Sequence, residues 1–412
     1  MKPAVKRPPW LSRMLIGFGL ASLCGDLGQE ITNLVMSPFL MRFVESSSVP
    51  LVLGLIMGMS EFFASYARIA SGVISDRYGY QKAFILVGYS LSGIFLGVIG
   101  FSSKVWQIGA ARIMAWIGKG LREPPRDALI AHQAKPEYYG RAFGFHRSLD
   151  TLGSILGPFV VFFLIFELPL RSFFFLTFIP GVAALIILQM FMEDIPPTHV
   201  PSLPTRNELF RLPKSFRLYL GILSVFGLGY YSKTLVILRA TELLGSTNIL
   251  EGVRITALLY ALFSIVRSAT EYSVGFVIDR MNKIVVLAVG GYALFGVLSF
   301  ILSFNITSVY TIMGVFVLMG ISAGTLKVAT KAIGASLLHT KVRTTGFALM
   351  QLIEGIGLLI ASSIVGLLWS VLTYKWAFGY ASFISIIAAI LLILLLARHS
   401  DNDKIKNISH TL

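Results

Sequence analysis

The sequence contains little charge, few acidic residues and a single cysteine. Charged residues make up 13% and hydrophobic residues 55% of the 412 positions, and the one thiol belongs to Cys24. One cysteine excludes an internal disulfide framework, and so apolar a composition excludes a water-soluble domain. Apolar runs of about 20 residues, the length that crosses a bilayer as a helix, recur along the chain. We therefore expect a helical membrane protein with many spans.

Motifs of common enzymes are also missing. The sequence contains no phosphate-binding loop, no Ser/His/Asp arrangement and no glycine-rich nucleotide loop, so we expect neither ATP hydrolysis nor covalent catalysis. The histidines His132, His146 and His339 are scattered without metal-ligand spacing. The sequence thus predicts a protein that is not an enzyme and that uses no cofactor and no metal.

The apolar runs divide into about twelve candidate membrane spans. They cover approximately 14–43, 51–74, 83–101, 106–132, 143–166 and 173–191, and then 218–238, 256–278, 285–304, 310–337, 347–372 and 376–396. A polar, proline-rich connection separates the sixth from the seventh span. We therefore predict an N-terminal bundle over 1–192, a cytoplasmic linker over 193–214 and a C-terminal bundle with a short tail over 215–412.

Basic residues concentrate in alternate loops. If the N-terminus is cytoplasmic, the basic residues left in the outer loops are Arg42, Lys104, Arg171, Arg254 and Lys375. Cytoplasmic loops carry an excess of lysine and arginine. We therefore predict a protein of the plasma (inner) membrane with both termini in the cytoplasm. The net charge of +15 then reflects membrane orientation and does not call for nucleic acid. Nothing in the sequence demands more than a monomer.

The fourth span carries charge at membrane depth. At 3.6 residues per turn five of its ionisable residues project within an arc of roughly 100°, and these are Arg112, Lys119, Arg122, Glu123 and Arg126. Such groups survive in a membrane when they face a bundle interior or a water-filled cavity, so they indicate function. Pro124 and Pro125 should kink or break the helix at the same depth.

This basic stripe, which consists of the four cations Arg112, Lys119, Arg122 and Arg126, has several interpretations. It can bind an anionic group of a substrate, or it can position a carboxylate that carries a proton. The structural alternative is an ion-pair network that only sets helix register. In that network Arg122 and Arg126 would pair with carboxylates, and the candidates are Glu123, Asp127 and Asp150.

The first span carries a second polar stripe. Asp26, Gln29, Glu30 and Asn33 fall within roughly 100° at helical spacing. Burial favours the protonated form of a carboxyl group, whereas a nearby arginine favours the charged form. Because a proton-coupled site needs this balance, we predict that Asp26 and Glu30 line a cavity and serve in substrate binding or proton coupling.

An internal repeat relates the two halves of the chain. GVISDRYGYQK after the second span recurs as GFVIDRMNK after the eighth, so Gly72, Asp76 and Arg77 correspond to Gly275, Asp279 and Arg280. Nearly the same offset carries Asp150 onto Glu354, which makes both carboxylates candidates for the proton carrier. Two stretches at nearly one offset indicate a duplicated six-span unit. The structural alternative for Asp150 is an ion pair with Arg147 three residues earlier.

The second half has its own intramembrane charges. Lys327 and Lys331 lie four residues apart in the tenth span and are predicted to face the substrate. Arg267 and Glu271 are also four residues apart, so a structural ion pair is expected there.

These residues resemble a known family. GxxxDRxG with a following lysine, and Arg112 before a glycine-rich turn, are similar to signatures of the major facilitator superfamily. GKGLREPPRDALIA, GRAFGFHRSLDTLG and the pairing of Asp26 with Glu30 resemble a largely uncharacterised prokaryotic subgroup, from which the chain departs at Trp116 and Asn282. The resemblance implies an all-α fold of twelve transmembrane helices in two pseudo-symmetric six-helix bundles that work by alternating access.

The resulting hypothesis is a proton-coupled secondary transporter, a symporter or antiporter, of a small anionic or amphipathic solute. The substrate would be bound by Lys119, Arg122, Arg126, Asp26, Glu30, Lys327 and Lys331, and the proton by Asp150, Glu354, Asp26 or Glu30. Gating is assigned to Gly72, Asp76, Arg77, Gly275, Asp279, Arg280 and Arg112. The alternatives are a polyspecific drug exporter, a siderophore or metabolite importer, and a membrane sensor that does not transport.

Overall fold

The structure is a computed structural model that describes residues 11–193, 213–306, 308–338 and 343–409. Within these ranges the regular secondary structure is helical. The helices are α1 (Arg13–Leu40), α2 (Val49–Tyr78), α3 (Gln81–Val98), α4 (Val105–Gln133), α5 (Tyr139–Leu164), α6 (Leu170–Leu176), α7 (Phe178–Phe191), α8 (Lys214–Gly229), α9 (Lys233–Leu244), α10 (Ile249–Arg280), α11 (Lys283–Val286), α12 (Leu294–Leu302), α13 (Val309–Leu337), α14 (Arg343–Val371) and α15 (Tyr374–Ser409). The predicted all-α membrane class is confirmed. Most of the predicted linker lies outside the described residues.

Ten helical segments in the described ranges are long and apolar enough to cross a membrane. Helices α1 and α4 are equally long, with 28 and 29 residues, but they are not among the ten. The reason is their composition, because these two helices carry the polar and basic stripes. The spans that are least apolar are therefore the ones that hold the candidate functional residues.

Several predicted spans are interrupted. The sixth divides at Thr177, whose hydroxyl donates to the carbonyl of Phe174 at 2.6 Å. The seventh divides between α8 and α9, where the backbone N–H of Ser232 donates to Ser362 Oγ at 3.0 Å. The ninth contains a π-helical turn, Leu287–Ala293, between α11 and α12. Hydropathy alone does not reveal these breaks, because the helical segments on both sides of each break are largely apolar.

The sequence predicts that the two prolines kink or break the fourth span, but they do not break it, because α4 runs without interruption from Val105 to Gln133. Pro124 has no N–H for the carbonyl of Gly120, four residues earlier. The Ser71 hydroxyl on α2 lies 3.3 Å from that carbonyl oxygen and can replace the lost donor. A neighbouring helix thus satisfies the freed backbone group, which is how transmembrane helices tolerate proline.

The chain divides into two compact units. The first contains α1, α3 to α7, most of α2 and the segment Ala240–Ala261. The second contains Pro50–Gly58 together with α8, the remainder of α9 and α10, and α11 to α15. Each unit therefore includes one segment from the opposite half of the sequence. The six-plus-six division of the chain stays a prediction.

The two copies of the repeated loop end their helices differently. Gly79 adopts a left-handed conformation, with φ of 71°, and its N–H donates to the carbonyl of Ser75 at 2.9 Å. Asn282, at the matching position, has φ of −64° and accepts a hydrogen bond from the N–H of Ile284 at the start of α11. The second copy of the loop, which has asparagine in place of glycine, therefore does not use the left-handed conformation that ends α2.

Helices α1 and α5 pack closely in the first unit, and glycines at the contact, Gly153 among them, make this possible. A Cβ atom at Gly153 would lie inside the contact distance of the Leu23 carbonyl oxygen on α1. By contrast, a Cβ atom at Gly144, on the same helix, would meet no atom within 4 Å. The approach at Gly153 brings the polar residues of α1 towards α5.

We predict that Gly153→Ala destabilises the protein by about 1–3 kcal/mol, the usual cost of overpacking. Gly144→Ala is the matched control and should stabilise by about 0.5–1 kcal/mol, since alanine replaces a helical glycine in open space. Thermal unfolding of the purified variants in one detergent measures both. An equal melting temperature for the two variants would contradict the close approach.

Candidate functional site

The basic stripe of α4 meets the polar stripe of α1 through neutral amides. Lys119 Nζ donates to Gln29 Oε1 at 2.8 Å, and Arg112 Nη2 donates to Asn33 Oδ1. Only 1% of the Arg112 surface is exposed. Neither cation has a carboxylate within 4.0 Å among the described residues. These two buried or half-buried charges are thus hydrogen-bonded to dipoles rather than neutralised.

Arg126 has a different environment. Its Nη2 and Nε atoms donate to the adjacent Asp127 at 2.9 and 3.1 Å, and its Nη1 donates to Ser22 Oγ on α1 at 3.3 Å. The same hydroxyl donates to Asp150 Oδ1 at 2.8 Å, and Arg147 donates to Asp150 Oδ2 at 2.7 Å. Ser22 thus connects a cation of α4 with a candidate proton carrier of α5. The predicted structural pair of Asp150 with Arg147 is present.

An ion-pair network joins α2 to α4. Arg68 Nη2 donates to Glu61 Oε1 at 2.8 Å, and its Nε donates to Glu123 Oε2 at 2.7 Å. The Arg68 guanidinium therefore lies between two carboxylates, Glu61 of α2 and Glu123 of α4, which would repel each other without it. Glu123 pairs with Arg68 of α2, so it is not the ion-pair partner of Arg122 or Arg126 that the structural alternative supposed.

Trp116 forms a platform for two cations of the basic stripe. The Arg112 guanidinium lies 3.3 Å from the centre of its ring, and Lys119 Nζ lies 5.5 Å away. The indole Nε1 donates to Glu61 Oε2 at 3.0 Å, which fixes the ring. An aromatic face attracts a cation without neutralising it. Trp116 therefore acts as a cation–π partner of the basic stripe.

Glu30 takes part in a buried chain of hydrogen bonds. Its Oε2 accepts from Asn33 Nδ2 at 2.5 Å and from the Tyr260 hydroxyl at 2.7 Å. Asn33 in turn accepts from Arg112. Sequence reasoning missed Tyr260, because a tyrosine among the apolar residues of the eighth span gives no periodic signal. Only the inclusion of Ala240–Ala261 in the first unit brings it to Glu30.

Asp26 and Arg122 lie elsewhere in the same unit. Asp26 accepts a hydrogen bond from Ser154 Oγ on α5 at 3.2 Å. Arg122 is 1% exposed and stacks on the ring of Tyr89 on α3, with 3.9 Å from Cζ to the ring centre. The predicted binding residues of the first unit therefore differ in their contacts. Lys119 and Arg126 face α1, whereas the Arg122 side chain lies between α1 and α3.

In the second unit, the predicted Arg267 pair with Glu271 is present at 2.9 Å. Lys327 Nζ lies 3.6 Å from the same Glu271 carboxylate. The side chains of Lys331 and Glu354 are exposed in the structure. Binding by Lys327 and Lys331 and proton transfer by Glu354 stay predictions.

The loop residues assigned to gating are mostly exposed. Arg77, Asp279 and Arg280 have exposed side chains, and the Asp76 side chain lies outside the described residues. A Cβ atom at Gly275 would meet nothing within 4 Å, and one at Gly72 would meet only Pro124, at 3.6 Å. No close packing therefore requires these two glycines, and the gating role stays a prediction.

No three His, Cys, Asp or Glu side chains within the described ranges come close enough to hold a metal ion. The site instead offers hydrogen-bond donors on cations whose present acceptors are amides or hydroxyls. An incoming carboxylate or phosphate would form charge-assisted bonds with them, roughly twice as strong as bonds to neutral acceptors. The arrangement is therefore suited to binding an anionic group reversibly.

We predict that Arg68→Gln lowers the free energy of unfolding by about 2 kcal/mol. It would leave two carboxylates facing each other, and the usual cost of breaking a buried pair is reduced here because the side chains are partly exposed. Arg42→Gln, at an exposed position, is the control and should change stability by about 0.5 kcal/mol or less. Equal melting temperatures for the two variants would show that the network does not stabilise the fold.

Comparison with known proteins identifies related sequences. The chain matches the family model of the Major Facilitator Superfamily over residues 18–305 and 253–410. It is 30% identical over 387 residues to an uncharacterized MFS-type transporter of Methanocaldococcus jannaschii, covering 93% of this chain and 95% of that protein. It is also 30% identical to the multidrug resistance protein MdtH of Photorhabdus laumondii, but over 120 residues, which are 29% of this chain and 30% of that protein.

Solved structures show the same fold. The POT family transporter PepTSo superposes with a TM-score of 0.77, covering 96% of this chain and 99% of the other at 11% sequence identity. At this identity the likeness concerns the fold and not the substrate.

Proposed function

Because this chain belongs to the major facilitator superfamily, we propose that it is a proton-coupled secondary transporter of a small anionic or amphipathic solute. The family implies a multi-pass membrane protein with a small-molecule substrate. We further propose that it works by alternating access as a monomer in the plasma (inner) membrane, with both termini in the cytoplasm. The substrate charge and the proton coupling are argued from residues of the first unit.

The observation that carries the substrate charge is the pair of amide-bonded cations, Lys119 and Arg112. A carboxylate that replaced the Gln29 oxygen would bring a full negative charge to Lys119. At about 4 Å and an effective dielectric constant of about 20, that attraction is about 4 kcal/mol, and part of it is offset by desolvation of the solute. The Trp116 face beside both cations would also contact an apolar part of an amphipathic solute.

The proton coupling is argued from Ser22. This hydroxyl contacts Arg126 Nη1 and donates to Asp150, so a change at either charged group alters the hydrogen bonds of the other. Protonation of Asp150 would weaken its pair with Arg147 and leave the Ser22 hydroxyl free to reorient. Substrate binding at Arg126 and proton binding at Asp150 would then be linked across α1.

Gating would use the repeated loops. We propose that Asp76 with Arg77, and Asp279 with Arg280, hold the cytoplasmic side shut in the outward-facing state. Support for this comes from the duplication of the motif at helix ends. Arg112 would act with them through its hydrogen bond to Asn33.

The experiment that identifies the solute is a thermal-shift screen of the purified protein. A ligand that binds the folded state raises the melting temperature. Panels of anionic and cationic metabolites at two pH values should give stabilisation by anions. Stabilisation confined to cations would contradict the proposed substrate charge.

We predict that Arg126→Gln reduces transport of the identified solute in proteoliposomes by about tenfold to a hundredfold, since a hydrogen bond from a charged group contributes about 1.5–3 kcal/mol. The variant should still fold, because its partner Asp127 is half exposed. Arg141→Gln, at an exposed position of α5, should transport normally. Unchanged transport by Arg126→Gln would remove this residue from the site.

We also predict that Asp150→Asn retains solute binding and loses the dependence of transport on an imposed pH difference. Asparagine keeps one oxygen acceptor for Arg147, and its NH2 group can donate to the Ser22 hydroxyl oxygen, but it does not titrate. Flux is measured with and without the pH difference, and binding by thermal shift. If the dependence persists, coupling lies at Asp26 or Glu30 instead.

A polyspecific drug exporter is the second candidate. The partial match to a multidrug resistance protein favours it, and Asp26, Glu30 and Glu61 would attract cationic drugs. Against it, Glu61 is already bonded to Arg68 and to Trp116. This alternative would be supported if the protein exports cationic dyes from proteoliposomes and anions do not raise its melting temperature. A siderophore or metabolite importer is compatible with the anion screen, and a sensor would show binding without flux.

A further inference from the structure

A small cavity lies inside the first unit, among α1, α3, α4 and α7. Its lining includes Gly25 and Gly28 of α1, Tyr89 of α3, Arg122 of α4 and Thr177 before α7. The room inside corresponds to about one water molecule. No aspartate, glutamate, asparagine or glutamine lines it.

The Arg122 guanidinium is built into this space. A Cβ atom at Gly25 would lie 2.9 Å from Nη2 and 3.0 Å from Nη1, so the lack of a side chain there makes room for the charged group. The Tyr89 ring covers one face of the guanidinium at 3.9 Å. Arg122 is only 1% exposed, which places a permanent positive charge in the interior of a membrane-embedded bundle.

Donors of this cavity lack acceptors. Within the part of the chain that the structure describes, Arg122 Nε and Nη1 and the Tyr89 hydroxyl make no hydrogen bond, and all three atoms are buried. The other hydroxyls of the lining are already used: Ser92 donates to Ala115 O at 3.0 Å, and Thr177 donates to Phe174 O. Buried polar atoms of this kind almost always have a partner.

Neighbouring carboxylates do not neutralise Arg122. Asp26 follows Gly25 on α1, but its carboxylate accepts from Ser154 on α5 and is not within 4.0 Å of Arg122. A cation–π contact offsets part of the cost of burying a guanidinium but does not cancel its charge. The cavity therefore has unpaired donors, a positive charge and no anionic acceptor.

We propose that this cavity binds one small inorganic anion of the size of chloride, held by Arg122 and by the Tyr89 hydroxyl. A halide ion accepts several hydrogen bonds and is little larger than water, so it fits the space and satisfies the charge. Larger anions such as gluconate do not fit. The bound ion would stabilise the packing of α1, α3 and α4, and the site is distinct from Lys119 and Arg126, where the transported solute is proposed to bind.

The test is the melting temperature of the purified full-length protein in detergent, with chloride replacing gluconate at constant ionic strength. Chloride should raise the melting temperature saturably, by about 2 °C or more. Arg122→Gln should abolish this rise. Tyr89→Phe, which keeps the ring and removes one donor, should raise the chloride concentration at half-effect by about tenfold.

Arg126→Gln separates this site from the transport site, since it should keep the chloride response even where transport is lost. The proposal is overturned if chloride and gluconate give the same melting temperature, which would mean that the cavity holds water. It is also overturned if Arg122→Gln responds to chloride as the wild type does. If Arg122→Gln does not fold, Tyr89→Phe provides the test. The proposal is overturned if the chloride concentration at half-effect is the same in Tyr89→Phe as in the wild type.

Discussion

The structure depends on how positive charge is kept inside a membrane-spanning bundle. Each buried ion costs several kcal/mol to desolvate, whereas a hydrogen bond to a charged group returns about 1.5–3 kcal/mol. Helix α4 carries four cations, and α1 presents oxygen atoms to three of them, Arg112, Lys119 and Arg126. Gln29, Asn33 and Ser22 supply these oxygen atoms.

The cations of the first unit fall into classes by the partner that each one has. Arg68, Arg126 and Arg147 contact carboxylates, so their charges are largely compensated within the protein. Lys119 and Arg112 contact amides, and their charge remains available to a bound group. The separation depends on which side chain α1 or a sequence neighbour presents to each cation: an amide to Lys119 and Arg112, and the carboxylate of Asp127 to Arg126.

Backbone groups freed by irregular helices are satisfied by serines. The Ser71 hydroxyl lies beside the Gly120 carbonyl, to which Pro124 has no N–H to donate. The Ser362 hydroxyl oxygen accepts from the N–H of Ser232 at the break before α9. Ser322 donates to the carbonyl of Gly291 within the π-helical turn, at 2.8 Å. In a bilayer no water replaces such partners, so these short hydroxyl side chains allow breaks in otherwise apolar spans.

Much about this protein followed from its sequence, because span length, loop charge and the repeated loop are local or periodic properties. They identified the all-α membrane class, the two stripes and the Arg267 pair with Glu271. Tertiary structure decided which charges meet. The contact of Tyr260 with Glu30 joins residues 230 positions apart, and the cavity at Arg122 exists because glycine stands at position 25 on a different helix. Periodicity places a side chain on one face of its own helix, but the neighbouring helix determines whether that face meets a carboxylate, an amide or an empty space.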